Sequence, residues 1–231
     1  MKNKYAVRFA DEMGRQIAED LEQKLPGIGA SAARSASSAR GRNNSTSTST
    51  PELGLALGIS LKSVHLREES GSRRYTHNMK RNEEELRIEA AGYHKRQPYA
   101  VMIGVLFLPF DSCDDARGDN TSSSFGSWVR HLRPYAGRAG PHDEQDRLEK
   151  IYIALYEPDG SVLLYFDVEA DPPKNTALTG WRQCGSDGRL RRLLSYQEFL
   201  DAAYHEYLRR NSLEFRWADG IEEPQDPSDA S

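Results

Sequence analysis

Between Leu53 and His65 large aliphatic residues alternate with small or polar ones. Leu53, Leu55, Leu57, Ile59 and Leu61 fall on odd positions; Gly54, Ala56, Gly58, Ser60, Lys62 and Val64 fall on even ones. A period of two over this length predicts a strand at 54–65. One face is aliphatic and faces a core. The other is built of small residues and ends in Ser60 and Lys62. Further on, Leu86, Ala90 and Tyr93 recur at helical spacing, and Asn82 with Glu85 three residues later has the form of a capping box, so a helix is predicted over 83–97. Pro98 ends it. Residues 99–109 (YAVMIGVLFLP) are continuously apolar, which predicts a strand covered on both faces. Strand, helix and buried strand make a crossover unit, so the two strands should be parallel.

The flanking segments are read in the same way. Phe9, Met13, Ile17 and Leu21 recur every four residues, with acids on the other side, and predict an N-terminal helix ended by Pro26-Gly27. Residues 29–50 (GASAARSASSARGRNNSTSTST) offer almost nothing to bury and are expected to be a flexible segment, with a Thr-rich end able to form an edge strand. Residues 111–124 read as a polar loop, and 125–132 as a short helix. Two apolar runs, 151–157 and 162–168, flank Pro158-Asp159-Gly160 and predict a hairpin. Residues 169–192 read as loop, and Ser195 with Glu198 opens a second capping-box helix to Arg210. The organisation expected is a helix at 1–28 packed on the core, a flexible stretch at 29–50, an α/β domain at 51–217 and an acidic disordered tail at 218–231.

Composition refines this picture in two places. The tail after Trp217 holds Asp219, Glu222, Glu223, Asp226 and Asp229 and no base, and these five acids turn a remainder of +1 into the net charge of −4. In that remainder basic residues cluster, most compactly at Arg73, Arg74, His77, Asn78, Lys80 and Arg81, which suits phosphate or base-edge contacts as well as a solvated loop. No apolar run reaches the about 18–20 residues that span a membrane. The start, MKNKYAVRFADEMG, carries acids where a secretory signal needs an apolar stretch. Two cysteines without a CxxC pattern point to a reducing compartment, and a cytoplasmic location is expected.

The motifs GxxxxGK[ST], GxGxxG, HExxH and GxSxG are absent, and the six histidines lack zinc-ligand spacing. What stands out is a lysine on a strand face of small residues, where burial is costly unless an anion meets it. Ser60 shares that face. The following helix carries Glu83, Glu84, Glu85 and Glu89; Glu85 and Glu89 are one turn apart, and Glu89 flanks the apolar stripe. Carboxylates beside a lysine are what metal-assisted phosphodiester hydrolysis uses. Plainer accounts are a Lys62 stem reaching to solvent and a Glu83–Glu84 pair complementing the helix dipole. Asp111, Asp114 and Asp115 follow the buried strand and read as a surface turn.

Pro51-Glu52 followed by Ser60-Leu61-Lys62 resembles the PD-(D/E)xK motif of restriction-endonuclease-like nucleases, in the variant where serine replaces the second acid. The resemblance covers roughly residues 50–110. It implies an α/β fold with a restriction-endonuclease-like αβββαβ core, a mixed central sheet flanked by helices. It also implies a Mg²⁺-dependent endonuclease, with Mn²⁺ as a substitute, that acts on double-stranded DNA as a homodimer. Lys62 and Ser60 then belong to the catalytic motif, and Glu89, Glu85 and Glu52 are its acids and metal ligands. A straight strand would put Glu52 about 30 Å from Lys62, so Glu52 serves only if the chain folds back near Pro51–Gly54. Such a turn sets Asn43 or Asn44 opposite Lys62. A displaced Glu52, an acid of the first helix such as Glu19, and a lost position all stay open for the first acid. A non-catalytic DNA-binding or assembly subunit on a degenerate nuclease fold, and an interaction protein whose acidic tail docks a basic partner, are the rival expectations.

Overall fold

The computed structural model describes residues 2–25, 45–49, 57–64, 74–115, 123–170 and 193–211. In chain order they form α1 (Lys2–Glu22), β1 (Ser45–Ser49), β2 (Leu57–Ser63), α2 (Met79–His94), β3 (Val101–Pro109), α3 (Ser124–Leu132), β4 (Lys150–Tyr156), β5 (Leu163–Asp167), β6 (Leu193–Leu194) and α4 (Tyr196–Asn211). One six-stranded sheet runs in sequence order, β1 to β6. β2, β3 and β4 are parallel, and β1, β5 and β6 join antiparallel. The crossover through α2 thus gives the parallel pair that the strand–helix–strand pattern predicts. The hairpin at β4–β5 also falls where its turn residues place it. Among the described residues two strands, not three, precede α2.

Alternation along β2 separates two cores. Its odd residues Leu57, Ile59 and Leu61 pack with Ile17, Ala18 and Leu21 of α1 and, across the sheet, with Phe199, Leu200 and Ala203 of α4. On the other face Leu86 and Ala90 of α2 and Trp128, Val129 and Leu132 of α3 pack on Met102, Leu106, Leu108, Ile151 and Ile153. Helices cover both faces, so every residue of β3 is buried, which explains its unbroken apolar run. No helix among the described residues is long and apolar enough to cross a membrane.

The Thr-rich end of the 29–50 segment is β1, the edge strand expected there, paired to β2 with Ser45 opposite Leu61. Two elements depart from expectation. Strand β6 is two residues long, too short to carry a periodic signal. The α2 helix starts a turn early: Asn78, at φ 61°, precedes it, and Asn82 N–H already donates to the Asn78 carbonyl at 2.9 Å. Asn82 is therefore inside the helix and Glu85 does not cap it. Asparagine is among the few residues that adopt the left-handed conformation readily. At α4 the capping box is present as read: Ser195 N–H donates to Glu198 Oε2 at 2.6 Å, and Glu198 N–H donates to Ser195 Oγ at 3.3 Å.

Candidate functional site: a buried lysine between two glutamates

The even face of β2 points toward α2. Ser60 there is fully buried and Lys62 is 4% exposed. In the β3 strand alongside, the residue paired with Ser60 is Gly104. A methyl group at Gly104 would stand 3.1 Å from Leu148 Cδ2 and 3.3 Å from Leu86 Cδ2. Lacking a side chain there, the sheet lets Leu86 seat closely, and α2 lies low over β2. Because Glu85 is not engaged in capping, it and Glu89, one turn on, both reach the strand.

The Lys62 ammonium donates to Glu89 Oε1 at 2.8 Å and lies 3.8 Å from Glu85 Oε2. Ser60 Oγ donates to the other Glu89 oxygen at 2.5 Å. Arg81 Nε, on an exposed side chain, donates to Glu85 Oε1 at 3.0 Å. Two carboxylates, two cations and a hydroxyl thus converge at the carboxyl end of β2. Burial, and then the negative charge of Glu89, hold the nearby Tyr93 phenol above its ordinary value. The donor set is hard oxygen: two carboxylates one helical turn apart, with a hydroxyl beside them. Mg²⁺ is commonly held by one or two carboxylates, with water filling its remaining positions, so these residues fit that ion. Among the described residues no group of three or more His, Cys, Asp or Glu side chains is arranged to hold a metal ion.

Of the residues named from sequence, Lys62, Ser60, Glu85 and Glu89 meet. Glu52, Arg73, Asn43 and Asn44 lie outside the described residues. Glu19 lies on the other side of the sheet: α1 packs on the odd face of β2, and Glu19 pairs with Arg15 at 2.5 Å. His77, Asn78, Lys80 and Arg81 are exposed along the approach to α2 and its first turn, and Arg74 is half-buried. Glu83 is not a solvated dipole partner. It is 4% exposed, accepts from Arg87 Nη1 at 2.8 Å and lies 3.4 Å from His131 Nε2. Asp115 is a structural pin, accepting from Ser124 N–H at 2.6 Å and from the Ser124 hydroxyl at the start of α3.

A second buried charge cluster was not legible in the sequence. Glu149, just before β4, accepts from Arg138 Nη1 at 2.7 Å, Arg210 Nη2 at 2.8 Å and Met102 N–H at 2.7 Å, with His94 Nε2 at 3.3 Å. Burial alone would push its carboxyl up. The contacts with His94, the Met102 amide and Arg138 outweigh burial and hold it below the usual value. Three of its four partners, His94, Met102 and Arg210, come from distant segments, so no spacing along the chain signals them. On the α4 side of the sheet a cavity of about 500 Å³ is lined by Lys150, Tyr152, Asp167, His205, Glu206 and Arg209. Lys150 is paired there with Asp167 and Glu169, and Arg209 with Glu206. That cavity lies on the sheet face opposite Lys62. No protein-family model, no curated protein and no solved structure matches the chain.

Proposed function

We propose that the protein is a Mg²⁺-dependent endonuclease of restriction type that cuts double-stranded DNA. The observation that carries this is Lys62 and Ser60 on one strand face with Glu89 and Glu85 of the next helix gathered on them. Glu85 and Glu89 would hold the ion, with Mn²⁺ as a substitute. When bound, such an ion neutralises phosphate charge and acidifies water. Lys62 would orient the attacking water or steady the charge that builds on the phosphorus oxygens. Ser60 fixes the Glu89 carboxylate through one of its oxygens, a positioning role. The exposed His77, Lys80 and Arg81 would grip the phosphate backbone. The αβββαβ core of such nucleases, with the described strands as part of it, belongs to the same proposal. So does a homodimer, which matches the two-fold symmetry of a duplex site.

The test is cleavage of mixed duplex DNA with and without Mg²⁺. Wild type should cut only with the ion, and Lys62→Ala should lose the activity. Equal cutting by both proteins, or none by wild type across many substrates, rejects the proposal. A second reading is a non-catalytic DNA-binding subunit, favoured by one observation: both carboxylates are already paired with cations, Glu89 with Lys62 and Glu85 with Arg81. Such a subunit would bind duplex DNA with an affinity that falls steeply with salt and is unchanged by Mg²⁺ or by Glu89→Gln.

A further inference from the structure

We infer that the Lys62 ammonium is a resident counter-cation, holding the place a divalent ion takes at Glu85 and Glu89, and that it moves aside when one binds. This rests on those two glutamates being the metal ligands. Each carboxylate has one oxygen engaged elsewhere: Glu89 Oε2 by Ser60 and Glu85 Oε1 by Arg81. The other oxygen of each faces Lys62 Nζ, at 2.8 Å and 3.8 Å. A Mg²⁺ ion sits at about 2.0–2.1 Å from its ligands. On the same two oxygens it would stand within about 5 Å of the ammonium, where repulsion is strong at low effective dielectric. Ammonium and ion therefore compete for one place. The lysine side chain is 3% exposed, against 10% and 15% for the glutamates, so without the ion it is the lysine that lies deepest. Its flexible four-carbon stem, at the end of a strand, gives it somewhere to go.

The consequence is exchange of one cation for another. Lys62 supports the fold by neutralising the glutamates, and lowers their affinity for the ion by the same contact. Calorimetric titration of the full chain with MnCl₂ tests this, comparing wild type with Lys62→Met and Lys62→Gln. The variants should bind Mn²⁺ about ten- to a hundredfold more tightly, since a repelling unit charge is gone. A measurement on wild type alone covers variants that fail to fold: acylation of Lys62 by an amine reagent, read by peptide mass spectrometry against Lys150. Saturating Mn²⁺ should raise labelling of Lys62 and leave Lys150 unchanged. Binding by wild type with equal or weaker binding by both variants overturns the exchange and keeps the metal site. Lys62 labelling that does not rise when wild type is saturated does the same. An absence of Mn²⁺ binding in all three proteins removes the metal site and the exchange together.

Discussion

Lys62 is a buried cation, and its burial is tolerable only because carboxylates meet it. Removing one partner of a buried pair leaves the other uncompensated, at a cost of about 3–5 kcal/mol. Glu89→Gln should therefore lower stability in urea by something near the lower end of that range, since Glu89 is 15% exposed. It should also abolish Mg²⁺-dependent cleavage. Combining it with Lys62→Met should recover part of the lost stability, and a double-mutant cycle would show coupling of about 1–3 kcal/mol. The strand side of this site was legible because a period of two fixes Ser60 and Lys62 on one face whatever surrounds them. Glu89 was legible because it flanks a helical stripe. The role of Glu83 was not, since its partner His131 sits on α3, and linear spacing cannot tell a buried acid from one that faces water.

At the scale of elements, α2 is held over the sheet by what Gly104 lacks. Gly104→Ala would press a methyl group against Leu148 and Leu86, costing about 1–3 kcal/mol and lifting the helix by a few tenths of an ångström. Activity should fall more than the melting temperature predicts. A Leu86→Ala second substitution, which makes room, should restore part of it. Ser195→Ala removes the α4 cap and should cost about 1 kcal/mol, measurable by denaturant titration. The two capping-box patterns had opposite outcomes for a physical reason. At Ser195 a two-residue strand ends immediately before the helix, so the chain must turn there. At Asn82 the turn is already made four residues earlier by Asn78, and the same letters fall inside the helix. Short patterns specify a helix start only where nothing upstream has begun one.

For the whole molecule the decisive group is Glu149. It ties the end of α2, the start of β3, the loop before β4 and the end of α4 to one carboxylate. Its folded-state value is depressed, so its stabilisation is present above the ordinary glutamate value of 4.5 and is lost as the pH falls through the lower folded value. Glu149→Gln should cost about 3–5 kcal/mol near neutral pH. Urea melts of the two proteins should converge as the pH is lowered below about 4.5. The layered α/β architecture could be read from periodicity, which is local. This cluster could not be, because it joins residues 11, 47 and 61 positions apart.

That last separation has a consequence for how the chain is made. Strand β2, helix α2 and strand β3 leave the ribosome long before Arg210 does, and domains complete their folding as units during synthesis. The face bearing Lys62 can form early, but the carboxylate that anchors the far end of α2 gains its last partner only when α4 emerges. A nascent chain stalled before Arg210 should be open to protease at the α2–β3 connection, and one stalled well beyond Asn211 should resist.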